Sequence, residues 1–276
     1  MLRLLQKKEN PYGKVARVFG QFKHAILRLP GHRFADGLTT SSEGAPQREV
    51  ALAQHAAYTR ALQHLGLTIE VLPADEAHPD GTFVEDTAIV TPHGAIITRP
   101  GAASRAGETA AIENALKPYY PSPSRISAPG TVDGGDICET DSTVLIGISA
   151  RTNEAGAQAL AGLLTEWGLQ SRIIDVRACN QLLHFKTGIS ALGDNRLAVT
   201  PGLPAFDGLK GFEQVVLDPR EAYAANCIRV NDRIVIPSGC PRFEDQLSRL
   251  GYSPLALDMS EFKKMDGGLS CLSLRF

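Results

Sequence analysis

Four stretches of this chain repeat one pattern of apolar and polar positions. They are VEDTAIVTPHGAIITR (84–99), GGDICETDSTVLIGIS (134–149), KTGISALGDNRLAVTP (186–201) and AANCIRVNDRIVIPSG (224–239). Each holds a short apolar run, a turn rich in Gly, Asp, Asn or His, and a second apolar run, which is the signature of a β-hairpin. Helical patterns follow the first, second and fourth: RAGETAAIENALK (105–117), RTNEAGAQALAGLLTEW (151–167) and RFEDQLSRLG (242–251). A strand-like piece such as SRIIDV (171–176) comes next. The unit is hairpin, helix, strand, and its starts are spaced by 50, 52 and 38 residues. A period of this size predicts a repeat architecture.

The two ends fit the same unit. Residues 14–30 carry strand patterns (VARVF, then HAILRLP) stopped by Pro30-Gly31, and 31–47 form a polar loop. Residues 48–65 place Val50, Ala53, Ala57, Ala61 and Leu65 at helical spacing, with Gly66 to end the helix. GGLSCLSLRF (267–276) resembles the first strand of a fifth hairpin, and HAILRLP supplies the partner it lacks. The expected fold is α/β, a five-unit ββαβ pseudo-symmetric propeller whose termini meet in one blade. Closure removes exposed sheet edges. An open mixed α/β sheet is the alternative. Residues 1–13 are expected to be a flexible tail, and 14–276 a single α/β-propeller domain.

Composition narrows the function. A chain of 276 residues forms a core without disulfide or metal staples. Its net charge of −2 argues against a nucleic-acid binder working by bulk electrostatics. No apolar run of about 18 residues predicts a membrane span, and the first 13 residues lack a secretory signal's apolar stretch. A cytoplasmic location is expected. The five cysteines, Cys138, Cys179, Cys227, Cys240 and Cys271, are odd in number and lack C-x-x-C spacing, so neither a zinc knuckle nor a full disulfide framework is expected.

Chemistry gathers at the hairpin starts. If the first strands point inward, polar residues converge on the axis: Glu85 and Asp86, Asp133 and Asp136, His184, Asn226 with Cys227, and Cys271. Cys271 has small neighbours (Gly267, Gly268, Ser270) and is the candidate nucleophile. The other four thiols are expected to pack as small apolar groups. His184 is the candidate acid/base, whereas His55, His64 and His93 are expected at the surface. The carboxylates Asp80, Glu85, Asp86, Asp133 and Asp136 suit a guanidinium, which pairs with them bidentately. A metal is the rival use, discounted because Gly-Gly between Asp133 and Asp136 matches no standard calcium loop. Arg105 and Arg151 hold matching places after two hairpins and suit a ligand carboxylate.

FVEDTAIV, ITRPGAASR, APGTVDGGDI, ARTNEAGA, LHFKTG, YAANCIRVN and DGGLSCLSLRF, in that order, together resemble the dimethylarginine dimethylaminohydrolases of the guanidino-group-modifying (pentein) superfamily, from about residue 30 to Phe276. The resemblance implies the five-unit propeller and a dimethylargininase that converts methylated arginines to citrulline through a covalent thiouronium on cysteine. It implies Cys271 as nucleophile, His184 as general acid/base, and Asp133 as the residue that orients and binds the guanidinium side, where some relatives carry Glu. Asp86 would contact guanidinium nitrogens, supported by Glu85. Arg105 and Arg151 would bind the substrate carboxylate. Asp80 and the carbonyls of Leu38 and Met265 would bind the α-amino group, and Phe83 would line the pocket. Two departures are extra N-terminal residues and Phe185 in place of Leu, which puts the pocket shape in question. No metal or organic cofactor is implied. The expected partners are a small-molecule methylated arginine and, at most, a second copy in a homodimer. Alternatives are a deiminase acting on arginine, a non-catalytic arginine-binding protein, and a papain-like hydrolase. The last is disfavoured by the order of His184 and Cys271.

Overall fold

The structure, a computed structural model, describes residues 20–179 and 182–276. The tail expected at 1–13 and the VARVF strand lie outside the described residues. The remaining expected strands form five three-stranded sheets. The first is β1 (His24–Arg28) followed by helix α1 (Arg48–His64) and β2 (Thr68–Leu72). The second is β3 (Ala88–Thr91), β4 (Gly94–Ile97), α2 (Thr109–Leu116) and β5 (Ser124–Arg125). The third is β6 (Ile137–Glu139), β7 (Val144–Ile148), α3 (Glu154–Glu166) and β8 (Ser171–Asp175). The fourth is β9 (Ile189–Gly193), β10 (Arg196–Val199) and β11 (Glu213–Val216). The fifth is β12 (Ile228–Val230), β13 (Arg233–Pro237), α4 (Pro241–Arg249) and β14 (Ser253–Leu257). The final strand, β15 (Leu274–Arg275), pairs antiparallel with β1, Ala25 opposite Arg275 and Ile26 opposite Leu274. The ends of the chain thus complete one blade, as the pattern predicts.

Within each sheet the middle strand is antiparallel to its hairpin partner and parallel to the strand after the crossover. The fourth sheet crosses over through two 3-10 turns, Leu203–Ala205 and Asp207–Leu209, instead of a helix. That accounts for its shorter repeat of 38 residues. Five apolar clusters fill the junctions between neighbouring blades. Ile26 and Leu274 pack with Ala88 and Ile97, Ile89 and Ile96 with Ile137 and Ile146, and Leu145 with Ile189 and Leu197. Leu192 and Ala198 pack with Ile234 and Phe243, and Leu27 and Tyr58 with Val230 and Val235. Each blade shares a core with both neighbours, which closes the ring.

Three expectations are corrected. The hairpin starts are 3-10 turns rather than strand: Val84–Thr87, Gly134–Asp136, Phe185–Thr187, Pro219–Ala225 and Ser270–Leu272. In three of them a side chain of a neighbouring turn accepts a backbone N–H that has no ladder partner: Asp86 that of Gly135, Asp136 that of Phe185 and Asn226 that of Ser270. On α1 the buried face runs through Ala51, Gln54, His55, Tyr58, Ala61 and Leu62, leaving Val50 exposed. His55 is therefore buried, and burial pulls its pKa down to about 4, so it is neutral at physiological pH. Tyr58, on the same face, donates to the Leu269 carbonyl at 2.9 Å and meets Ser273 Oγ at 2.7 Å, tying α1 to the C-terminal segment.

The turns approach one another closely. A Cβ on Gly134 would stand 2.0 Å from the Glu85 carbonyl oxygen. Gly134→Ala should therefore destabilise the protein by about 1–3 kcal/mol through overpacking. Urea unfolding measures this, and a stability equal to the parent would show that the two turns do not pack this tightly.

Candidate active site

The turns deliver their side chains to one narrow cavity. It is lined by Leu38, Asp80, Phe83, Asp86, Arg105, Arg151, Leu183, His184, Met265, Asp266, Gly267 and Cys271. Nine of these were candidates from sequence; Leu183, Asp266 and Gly267 were not. Phe83 forms one wall, packed on Phe34 and Phe262 with ring centroids 6.0 and 6.4 Å away. Gly267 lies so close to the Phe83 ring that a Cβ there would come within 2.2 Å. Leu38 hangs over the cavity from the loop after β1, half exposed, with its N–H donated to Asp80 Oδ1 at 3.0 Å. Phe185 is absent from the lining. Its ring is fully buried against Gly147, so the departure from Leu is absorbed in the core.

Asp133 sits behind the cavity, fully buried, and Glu85 faces a different one. Asp133 Oδ2 lies 2.9 Å from His184 Nε2, and its Oδ1 accepts the Gly101 N–H at 2.7 Å. Asp86 Oδ1 accepts the Gly135 N–H at 2.8 Å and stands 3.9 Å from His184 Nε2. Glu85, the adjacent residue, pairs with Lys186 Nζ at 2.5 Å and accepts from Ser270 Oγ at 2.7 Å. On a 3-10 turn successive side chains diverge by about a third of a turn, so neighbours face different ways.

The two arginines differ. Arg105 is buried and committed: Nη1 donates to Asp86, Nε and Nη2 to Glu108, and Nη2 also to the Phe83 carbonyl. Arg151 is partly exposed, and among the described residues its guanidinium has no hydrogen-bond or ion-pair partner. Asp86, Asp133 and His184 bring ligand atoms within 4.8 Å of one another, a spacing that a metal ion tolerates. Their atoms are already engaged, however, and the Arg105 cation occupies Asp86, so a metal would have to displace these bonds.

Comparison with known proteins places this geometry. An arginine deiminase family model matches residues 76–236. The chain is 44% identical to the N(G),N(G)-dimethylarginine dimethylaminohydrolase of Pseudomonas aeruginosa, over 92% of this chain and all of that one. The chain belongs to the dimethylarginine dimethylaminohydrolase family. The solved structure of the Pseudomonas aeruginosa family member, a cysteine-to-serine mutant complexed with citrulline, superposes with a TM-score of 0.90 over 93% of this chain and all of that one. A histidine-to-glycine mutant of a dimethylarginine dimethylaminohydrolase, solved as an adduct with S-methyl-L-thiocitrulline, matches at 44% identity and a TM-score of 0.89 over 92% of this chain and all of that one.

Within the fold of this family, charge sets the protonation states. Burial disfavours the His184 cation, but the negative charges of Asp86 and Asp136 and the hydrogen bond it donates to Asp133 outweigh it, holding its pKa at about 9. Burial also works against the Asp86 carboxylate, yet His184, Arg105 and the Gly135 N–H keep its pKa well below the usual range. Burial raises Asp80 despite the nearby charges of Arg105 and Arg151. Cys271 is pushed up to about 12 by burial and by the charges of Glu85 and Asp86, against a weak donation from the Gly268 N–H at 3.4 Å. Lys186, Asn226, Ser270 and Glu108 also belong to this network. Asn226 already stands among the polar residues at the hairpin starts, and Glu108 has a local signal in its i+3 spacing from Arg105.

A raised thiol pKa means the protonated form prevails until pH approaches 12. Carboxamidomethylation of the Cys271 peptide in ligand-free protein should rise about tenfold per pH unit from pH 7 to 10. Loss of the His184 proton near pH 9 removes a cation and does nothing to ease ionisation. A plateau between pH 8 and 9, read by peptide mass spectrometry, would contradict this electrostatic picture.

Proposed function

We propose that this protein hydrolyses Nω-methylated arginines, asymmetric dimethylarginine and monomethylarginine, to citrulline plus dimethylamine or methylamine. The observation that carries the reading is one cavity lined by a thiol, a histidine paired with Asp133, the buried carboxylate of Asp86 and the Arg151 guanidinium, which has no partner among the described residues, in a chain 44% identical to a named dimethylarginine dimethylaminohydrolase. Arg151 receives the substrate carboxylate, with Arg105 adding its charge. Asp80 and the Leu38 and Met265 carbonyls take the α-amino group, and Phe83 flanks the side chain. Asp86, supported by Glu85, binds guanidinium nitrogens, and Asp133 orients His184 toward the same group.

The chemistry follows from the protonation states. A guanidinium is a weak electrophile because its charge is delocalised, so it must be fixed and polarised by ionic hydrogen bonds. Its arrival also offsets the carboxylate charges that hold the Cys271 proton, so the proton leaves to bulk water and the thiolate forms. The thiolate attacks the guanidinium carbon, a C–S bond forms, and His184 passes its proton to the departing amine as the C–N bond breaks. Neutral His184 then takes a proton from water, whose oxygen attacks the thiouronium carbon. The C–S bond breaks and the hydroxyl proton passes to the departing thiolate, leaving the ureido group of citrulline and the Cys271 thiol. The residues named bring no need for a cofactor.

The reading includes a cytoplasmic location, supported by five free cysteines. Among the described residues no helix is long and apolar enough to cross a membrane. A homodimer is the proposed assembly, supported by outer edge strands that expose Val71, Ile173 and Val216. Citrulline release should be measured across arginine, monomethylarginine, asymmetric dimethylarginine and agmatine, and the methylated substrates should be fastest. Cys271→Ser should lose roughly 10³-fold or more in kcat, and rapid quench should leave an adduct on the Cys271 peptide. A variant as fast as wild type would sink the mechanism. Arg151→Ala should raise KM for dimethylarginine about 10-fold or more and leave a decarboxylated analogue unaffected. Equal effects on both would remove its assigned role.

A further inference from the structure

Asn226 ends the 3-10 turn Pro219–Ala225 and is buried, with 6% exposure. It does not line the substrate cavity, yet its three side-chain hydrogen bonds run to the turns that carry the reacting groups. Its Oδ1 accepts the Ser270 N–H at 3.0 Å. Its Nδ2 donates to Ser270 Oγ at 3.0 Å and to the Lys186 carbonyl at 2.9 Å. Ser270 immediately precedes Cys271, and Lys186 lies two residues after His184. A Cβ on Gly268 would stand 2.3 Å from Asn226 Oδ1, so the amide packs flat on the loop whose Gly268 N–H points at Cys271 Sγ.

Two other turns make the same kind of bond with acids: Asp86 accepts the Gly135 N–H and Asp136 the Phe185 N–H, each at 2.8 Å. An aspartate at 226 would keep the bond to Ser270 N–H but turn an oxygen toward the Lys186 carbonyl oxygen. It would also add a negative charge near Glu85. Only an amide accepts from one neighbour and donates to the other two.

We propose that Asn226 is a positioning residue that fixes the Cys271 thiol relative to His184. This rests on the hydrolase reading for the identity of the nucleophile and extends it to a residue that touches no substrate. Through Ser270 Oγ the network continues to Glu85 and Lys186, so one amide couples the nucleophile's turn to the turn after His184 and to the buried ion pair. Displacement of a reacting group by about 1 Å costs on the order of 10²-fold in rate. Binding of the substrate's amino-acid end does not depend on that distance.

The test compares Asn226→Ala, Asn226→Asp, Ser270→Ala and the Asn226→Ala/Ser270→Ala double variant. In Asn226→Ala, kcat for asymmetric dimethylarginine should fall about 10- to 100-fold with KM within about threefold of wild type. The double variant should be no worse than the poorer single one, because the two residues act as a unit. In Asn226→Asp, which preserves shape, alkylation of the Cys271 peptide should shift to higher pH because a charge has been added. A kcat within twofold of wild type in both Asn226 variants overturns the proposal. So does an unshifted alkylation profile in Asn226→Asp, a proportional rise in KM, or multiplicative losses in the double variant. If wild type itself releases no citrulline, the hydrolase reading fails, and the alkylation profiles still report on Asn226.

Discussion

Side-chain hydrogen bonds passed from one turn to the next hold the centre of this molecule together. Asp86 accepts from Gly135, Asp136 from Phe185, Ser190 from the Cys227 N–H and Asn226 from Ser270, and Ser270 donates back to Glu85. The bonds run between successive blades and return to the first. Each turn starts a strand whose opening N–H groups have no ladder partner, and buried N–H groups cannot be left unpaired. The polar residues at the hairpin starts therefore have a structural duty before any chemical one. Meeting it brings Asp86, His184 and Cys271 to one cavity from sites far apart in sequence.

The same constraint makes the site electrically demanding. Asp80, Asp86, Asp133 and Glu108 are all buried, and burial raises Asp80 and Glu108 above the ordinary carboxylate range. Arg105 answers two of them and is itself held well above its usual pKa. Glu85 is answered separately, by Lys186 and at 3.6 Å by Arg275. His184 carries a proton because the remaining negative charge around it is in excess. Burying carboxylates without full compensation is costly, and a cationic ligand completes the balance. Under the proposed function, recognition of a guanidinium is the last ion pair of the fold.

The sequence made the repeat legible because hairpins write themselves as period-two apolar runs around a turn. Closure was legible because one strand at each end lacked a partner. The turns were not, since three- or four-residue 3-10 segments carry no periodicity and their acids look like ordinary turn formers. The buried face of α1 was misjudged because alanines at 51, 53, 56, 57 and 61 fit either side; Tyr58, anchored on Leu269 and Ser273, decided it. Cys271, His184 and the cavity acids stood out as polar hairpin starts, and the motif resemblance supplied the roles proposed for them. Asn226 was legible as a polar hairpin start, but its partners, and the parts played by Ser270 and Lys186, were not, because these lie on other blades, such as the 44 residues separating Asn226 from Ser270.

The placement of Glu85 and Asp86 carries a further consequence. Adjacent in sequence, they face different cavities, yet both raise the Cys271 pKa. One touches the ligand cavity and the other is locked to Lys186 and Ser270. A ligand can neutralise Asp86 directly, whereas the Glu85 charge is fixed by the fold. Under the proposed function the thiol therefore stays protected until a cation occupies the Asp86 side, and a neutral amino acid of the same shape would bind without generating the nucleophile. In that proposal substrate selection and thiol activation depend on one carboxylate, which ties turnover to the charge of the bound group rather than to its size.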